Sequence, residues 1–189
     1  MTDSSFAPSC RKTKPGHPLV RWITALYRHG MHLRWQVLFL AQKRRRSMYY
    51  LKTSAAFDSA HFLHGYHGKC ANIHGHRWTL EIMLRSDKLQ ESGEKRGMLM
   101  DFGDVKKMVC TLARNYDHAL IYESDSLRPK TLEALNEEGF RLIEVPFRPT
   151  AENFAKHFYE ILSGQGLPLK SVTVYETPEN CAVYEAEEE

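Results

Sequence analysis

The segment Cys70-Ala71-Asn72-Ile73-His74-Gly75-His76-Arg77-Trp78-Thr79-Leu80-Glu81-Ile82-Met83-Leu84 holds two patterns in one run. From Trp78 to Leu84, Trp, Leu, Ile and Leu take every second position, with Thr79, Glu81 and Met83 between them. Side chains on a strand point alternately to its two faces, so this alternation predicts a half-buried strand. His74 and His76 are two residues apart, and on a strand such a pair shares a face. Both imidazoles can then reach one ion, with Gly75 leaving the backbone uncluttered between them.

The chain has ten histidines, and His61, His64, His67, His74 and His76 fall within 16 residues, around a polar loop between two predicted strands. That density asks for a metal. His61, at the far end of the preceding strand, can supply a third ligand once the loop folds back. Three neutral imidazoles with a vacant fourth position make the arrangement of catalytic rather than structural zinc, because the open position must accept water or substrate. An H-x-H on a strand is also an ordinary surface pattern, and it is the neighbouring His61 and Cys70 that favour the metal.

Cys70 precedes His74 by four residues, which allows two functional readings. It is a thiolate ligand closing a His and Cys site, or a base beside an open three-histidine site; a buried inert thiol is the plainer alternative. In Asp117-His118 a carboxylate could orient an imidazole for proton transfer, although such pairs are also common in surface turns. Glu176 ends a strand apolar enough to be buried. A carboxylate there could accept two parallel N–H bonds from an aminopyrimidinone ring, or it could be an edge-strand Glu in solvent.

Around these residues the pattern is that of an α+β domain. Tyr49 to Phe57 is β-prone, Gly97 to Phe102 reads as a short strand entering a turn, and Val105, Met108, Val109 and Leu112 recur at helical spacing up to Asn115. A second helix is predicted over Thr131 to Glu138, stopped by Gly139, with a strand from Arg141 to Val145. Thr150, with Glu152 two residues on, opens a third, amphipathic helix carrying Phe154, Phe158 and Leu162. Two strands, Ser171 to Glu176 and Ala182 to Glu185, are joined by Pro178-Glu179-Asn180.

Of 189 residues, 42% are hydrophobic and 26% charged, which excludes a disordered or collagen-like chain, and no apolar run approaches a membrane span. Residues 1–48 hold ten Lys or Arg against one acid, Asp3, leaving 16 basic and 22 acidic residues in the remainder. A net acidic body disfavours nucleic-acid binding through the folded domain. Residues 1–47 read as a basic N-terminal extension: an organellar presequence, a membrane-surface helix, or an in-frame extension upstream of initiation at Met48. Residues 48–189 form the domain. The four cysteines are widely spaced without a C-x-x-C pair, so reduced thiols and a cytoplasmic location are expected.

Phe57-Asp58-Ser59-Ala60-His61, Cys70 with His74-Gly75-His76, Gly97-Met98 with Met100-Asp101-Phe102, Asp117-His118, Pro149-Thr150-Ala151-Glu152-Asn153 and Tyr175-Glu176-Thr177 occur in one order. In this order they resemble the 6-pyruvoyl-tetrahydropterin synthase superfamily, from Met48 to the C-terminus. The C-x3-H-G-H spacing is similar to that of its 6-carboxy-5,6,7,8-tetrahydropterin synthase branch, in queuosine biosynthesis. The pyruvoyl branch has a longer gap, and a folate-pathway variant has Glu in place of Cys.

The resemblance implies one zinc per subunit on His61, His74 and His76, with Cys70 as general base and Asp117 with His118 as a proton relay. It implies that Glu176 anchors the pterin, helped by Thr150 and Glu152. The implied reaction converts 7,8-dihydroneopterin triphosphate to 6-carboxy-5,6,7,8-tetrahydropterin, releasing triphosphate and acetaldehyde. Pyruvoyl-tetrahydropterin synthesis from the same substrate and a non-catalytic zinc- and pterin-binding member are the alternatives. The implied architecture is the tunnelling fold, an antiparallel sheet with helices on one face that oligomerises into a barrel. A homohexamer of two trimers is implied, with sites between subunits. Residues 1–47 have no place in this pattern, and the segment between His118 and Pro149 is long for it.

Overall fold

The alternating run folds as the second strand of a six-stranded sheet. In the computed structural model, which describes residues 47–187, β1 (Tyr49–His61) and β2 (His74–Ser86) pair antiparallel from Tyr49↔Ser86 to His61↔His74. All but Ser47 of the basic extension expected at 1–47 lies outside the described residues. β3 (Leu120–Glu123), β4 (Leu142–Val145), β5 (Leu169–Tyr175) and β6 (Cys181–Tyr184) complete the sheet in the order β4-β3-β1-β2-β5-β6. The strands β1, β2, β5 and β6 form the expected antiparallel sheet. β3 and β4 extend it with parallel pairings, β3 to β1 and β4 to β3. Parallel neighbours require crossover connections, and two helices provide them.

Those helices are α1 (Phe102–Arg114), between β2 and β3, and α2 (Pro129–Glu137), between β3 and β4; α3 (Ala151–Gly164) precedes β5. Asp101 caps α1, its carboxylate accepting from the Gly103 and Asp104 amides. Thr150 caps α3 by accepting from the Asn153 amide, and Pro129 starts α2, where a missing N–H costs nothing. Helix α1 packs on β1, and α3 on β5 and β6. Val105, Val109 and Leu112 of α1 and Phe154, Phe158 and Leu162 of α3 meet Phe57, Trp78, Leu80, Ile82, Val172 and Val174 of the sheet in one core. The helices thus cover one face, as in the tunnelling fold.

Four elements differ from the sequence expectation. β1 and β2 run on past Phe57 and before Trp78, because Asp58 to His61 and His74 to Arg77 pair with one another despite their polarity. Gly97 to Phe102 is not a strand: Gly97 has φ 85° and donates to the Gln90 carbonyl, while Met98 accepts from the Gln90 amide, closing a loop whose end opens α1. β3 has only four residues and was not foreseen. Among the described residues no helix is long and apolar enough to cross a membrane.

Candidate metal centre and active site

Strand register builds the site. The inward-facing residues of β2 run Leu84, Ile82, Leu80, Trp78, then His76 and His74. Opposite them, Phe57 pairs with Trp78, Ser59 with His76 and His61 with His74. The three imidazoles are therefore the outermost members of rows that elsewhere make the core. Glu176 follows β5 in phase with the buried Val172 and Val174, so its carboxylate faces the same way. The ring centroids of His61, His74 and His76 lie 4.4, 5.0 and 5.3 Å apart, and Trp78 closes the core side 4.9 Å from His61.

Two backbone carbonyls aim the rings. His61 Nδ1 lies 2.7 Å from the Pro149 oxygen, and His74 Nδ1 lies 2.7 Å from the Asn72 oxygen. A carbonyl can only accept, so each Nδ1 carries the proton and each Nε2 presents a lone pair. The Nε2 atoms of His61, His74 and His76 are all buried without a hydrogen-bond partner. An unpaired buried polar atom costs about 1–3 kcal/mol, and three ring nitrogens converging on one point fit a cation. Glu176 Oε1 is 3.1 Å from His76 Nε2 and 3.5 Å from His61 Nε2. The four ligand atoms all lie within 4.8 Å of one another. Burial pushes the His61 imidazole below its ordinary pKa against the opposing pull of the Pro149 carbonyl, and burial lowers His76 likewise. Both are held in the neutral form that binds metals. The donor set fits zinc, for which nitrogen and carboxylate oxygen are ordinary ligands.

A cavity of about 280 Å³ opens beside the cluster, and His61, Cys70, Thr150, Glu152 and Glu176 all line it. Cys70 sits on a short 3-10 turn, Lys69–Ala71, and the Leu63 amide donates to its carbonyl at 2.8 Å, folding the loop back on the end of β1. The thiol belongs to the cavity wall and not to the four-residue cluster. Tyr66, Asn180 and Cys181 also line the cavity, unforeseen from sequence. The hairpin between β5 and β6 carried a signal for the last two: the Glu176 amide donates to the Asn180 carbonyl, which sets residues 180 and 181 beside Glu176.

Asp117 and His118 are joined to each other but do not line this cavity. His118 Nδ1 is 2.9 Å from Asp117 Oδ2, so the carboxylate orients the imidazole. The pair is fixed along the β3 edge of β1: Asp117 Oδ1 accepts from the Asp58 amide at 2.8 Å, and the His118 amide donates to the Asp58 carbonyl at 2.6 Å. His118 takes a left-handed φ of 53° there, and its side chain is 79% exposed. The Asp58 N–H and then His118 hold the Asp117 carboxyl below the usual carboxylate range.

Comparison with known proteins places the chain in a family and a fold. The family model described as 6-pyruvoyl tetrahydropterin synthase matches residues 50–187. A Haemophilus influenzae protein named 6-carboxy-5,6,7,8-tetrahydropterin synthase is 34% identical over 141 residues, covering 73% of this chain and 99% of that one. A Rickettsia felis protein of the same name is 35% identical over 133 residues, 67% of this chain and 92% of its own. Among solved structures, an uncharacterised protein from Wolinella succinogenes superimposes with a TM-score of 0.63 at 21% identity, covering 75% of this chain and 99% of that one. The Caenorhabditis elegans 6-pyruvoyl tetrahydropterin synthase gives 0.53 at 24% identity, covering 76% and 99%.

Proposed function

This chain belongs to the 6-pyruvoyl tetrahydropterin synthase family, and on that premise we propose that it makes 6-carboxy-5,6,7,8-tetrahydropterin from 7,8-dihydroneopterin triphosphate and water, which supplies the second carboxylate oxygen, releasing triphosphate and acetaldehyde. The name shared by the Haemophilus and Rickettsia relatives supports the reaction, which would serve queuosine biosynthesis. The observation that carries it is the meeting of Cys70 and Glu176 in one cavity beside three imidazoles whose Nε2 atoms have no partner. His61, His74 and His76 would hold zinc. Bound there, zinc supplies Lewis acidity toward the side-chain hydroxyls of the substrate.

The protein's own groups do the rest. The Glu176 carboxylate accepts two N–H bonds from the aminopyrimidinone edge and fixes the ring, with Thr150 and Glu152 on the adjacent wall. Cys70, as thiolate, removes a side-chain proton as general base; no covalent acyl intermediate is required. His118, oriented by Asp117, returns protons during tautomerisation, elimination and carbon–carbon cleavage. Because this pair is exposed and outside the cavity of its own chain, it is proposed to serve the site of a neighbouring subunit in a homohexamer.

A mass-spectrometric product assay on the zinc-loaded full chain with dihydroneopterin triphosphate tests this reading. Carboxy-tetrahydropterin with acetaldehyde is expected, and neither from Cys70→Ala. Pyruvoyl-tetrahydropterin would instead assign the other branch of the family. Unchanged substrate in a folded, zinc-containing protein would make the chain a binder.

A further inference from the structure

We propose that Glu176 has two mutually exclusive positions: fourth ligand of the metal while the cavity holds no substrate, and anchor of the pterin once the substrate arrives. The inference rests on the metal reading above and deepens it, since it states what opens the ion to chemistry.

Distances come first. Four ligands at zinc bond lengths of about 2.0–2.1 Å form a tetrahedron with edges of about 3.3–3.4 Å. The separations of Glu176 Oε1 from His76 Nε2 and His61 Nε2, 3.1 and 3.5 Å, straddle that edge. Chemistry points the same way. The Nε2 atoms of His61 and His74, whose protons sit on Nδ1, and the Glu176 carboxylate are acceptors that meet at one point, with His76 Nε2 beside them. A cation satisfies all four at once.

The same carboxylate is free to leave. His61 is 1% exposed and its ring is tied to Pro149, whereas the Glu176 side chain is 31% exposed and borders the cavity. The Glu176 amide is fixed by Asn180, so only the side chain has to turn. In the cavity a ligand with two adjacent N–H donors matches what the carboxylate gives up. An aminopyrimidinone head therefore exchanges its own donors for the ion, and the vacated coordination position faces the rest of the substrate. Water and unrelated hydroxyl compounds, which cannot hold the carboxylate away, meet a closed centre.

The experiment loads the full-length protein with cobalt(II), whose visible absorption reports coordination, and titrates thiocyanate as a probe of an open position. Wild type is expected to leave its spectrum unchanged, and Glu176→Ala to bind thiocyanate at least about tenfold tighter. 6-Methylpterin, which has the ring but no side-chain hydroxyl, should make the wild type respond. Glu176→Gln, of nearly the same size, should behave as Glu176→Ala and separates ligand loss from misfolding. Wild type that takes thiocyanate as tightly as Glu176→Ala overturns the proposal, and so does wild type that stays closed with 6-methylpterin bound. Metal analysis distinguishes the deeper failure: a wild type that retains no ion overturns the zinc site itself.

Discussion

The proposed division of chemistry between Cys70 and the histidines can be measured on single side chains. Cys70→Ala should lower kcat by about 10²–10⁴-fold, the range for a positioned general base, while zinc content stays unchanged because the thiol stands outside the ligand cluster. Loss of zinc along with activity would make Cys70 a ligand instead. Acid acts on the imidazoles. Burial holds His61 and His76 below the ordinary imidazole value of 6.5, so both remain neutral as the pH falls to that value, and zinc is expected to stay bound. Below about pH 6.5 the unfolded chain, whose histidines titrate normally, takes up protons that the folded chain refuses. Stability of the metal-free protein should therefore decline with acid from there downward, and stay flat with respect to these groups above it. Denaturant titrations at stepped pH values check the direction.

Among the elements, α1 depends most on one residue at its start. Asp101→Ala removes the acceptor for two helix amides and should cost about 1 kcal/mol in urea unfolding, with the β-sheet signal retained. The body of α1 was legible in the sequence because helical spacing is local, as were α3 behind Thr150 and the alternating core of β2, whereas the Asp101 cap was hidden inside the segment read as a strand. His61, His74 and His76 were legible for the same reason, being tied to one hairpin. What depended on distant pairing was not. β1 and β2 extend into polar residues because each stabilises the other, a fact no single segment carries. Gly97 to Phe102 looked like a strand until the left-handed Gly97 turned the chain. The approach of Glu176 to the histidines needs the register that sets Tyr175 opposite Thr79, two strands and 96 residues apart in sequence. The place of Asp117 and His118 on the β3 edge of β1 likewise follows from a parallel pairing made only after α1 has crossed the sheet.

For the folded domain, the proposed metal site links metal binding to stability. Zinc at a hundredfold excess over its Kd should stabilise the protein by about 2.7 kcal/mol, so a chelator should lower the Tm and added zinc restore it. If neighbouring subunits complete each other's sites, mixing inactive Cys70→Ala with inactive His118→Ala and letting the subunits exchange should restore part of the activity. No recovery in a confirmed mixed oligomer would place the relay elsewhere. The continuity of the histidine rows with the core has a consequence for folding as well. A hairpin closed one residue out of step would put Phe57 and His61 on one face and Trp78, His74 and His76 on the other, and so split the three imidazoles. The ion is thus a gauge of strand alignment: in a refolded preparation, the zinc retained per chain counts the molecules whose hairpin closed in step.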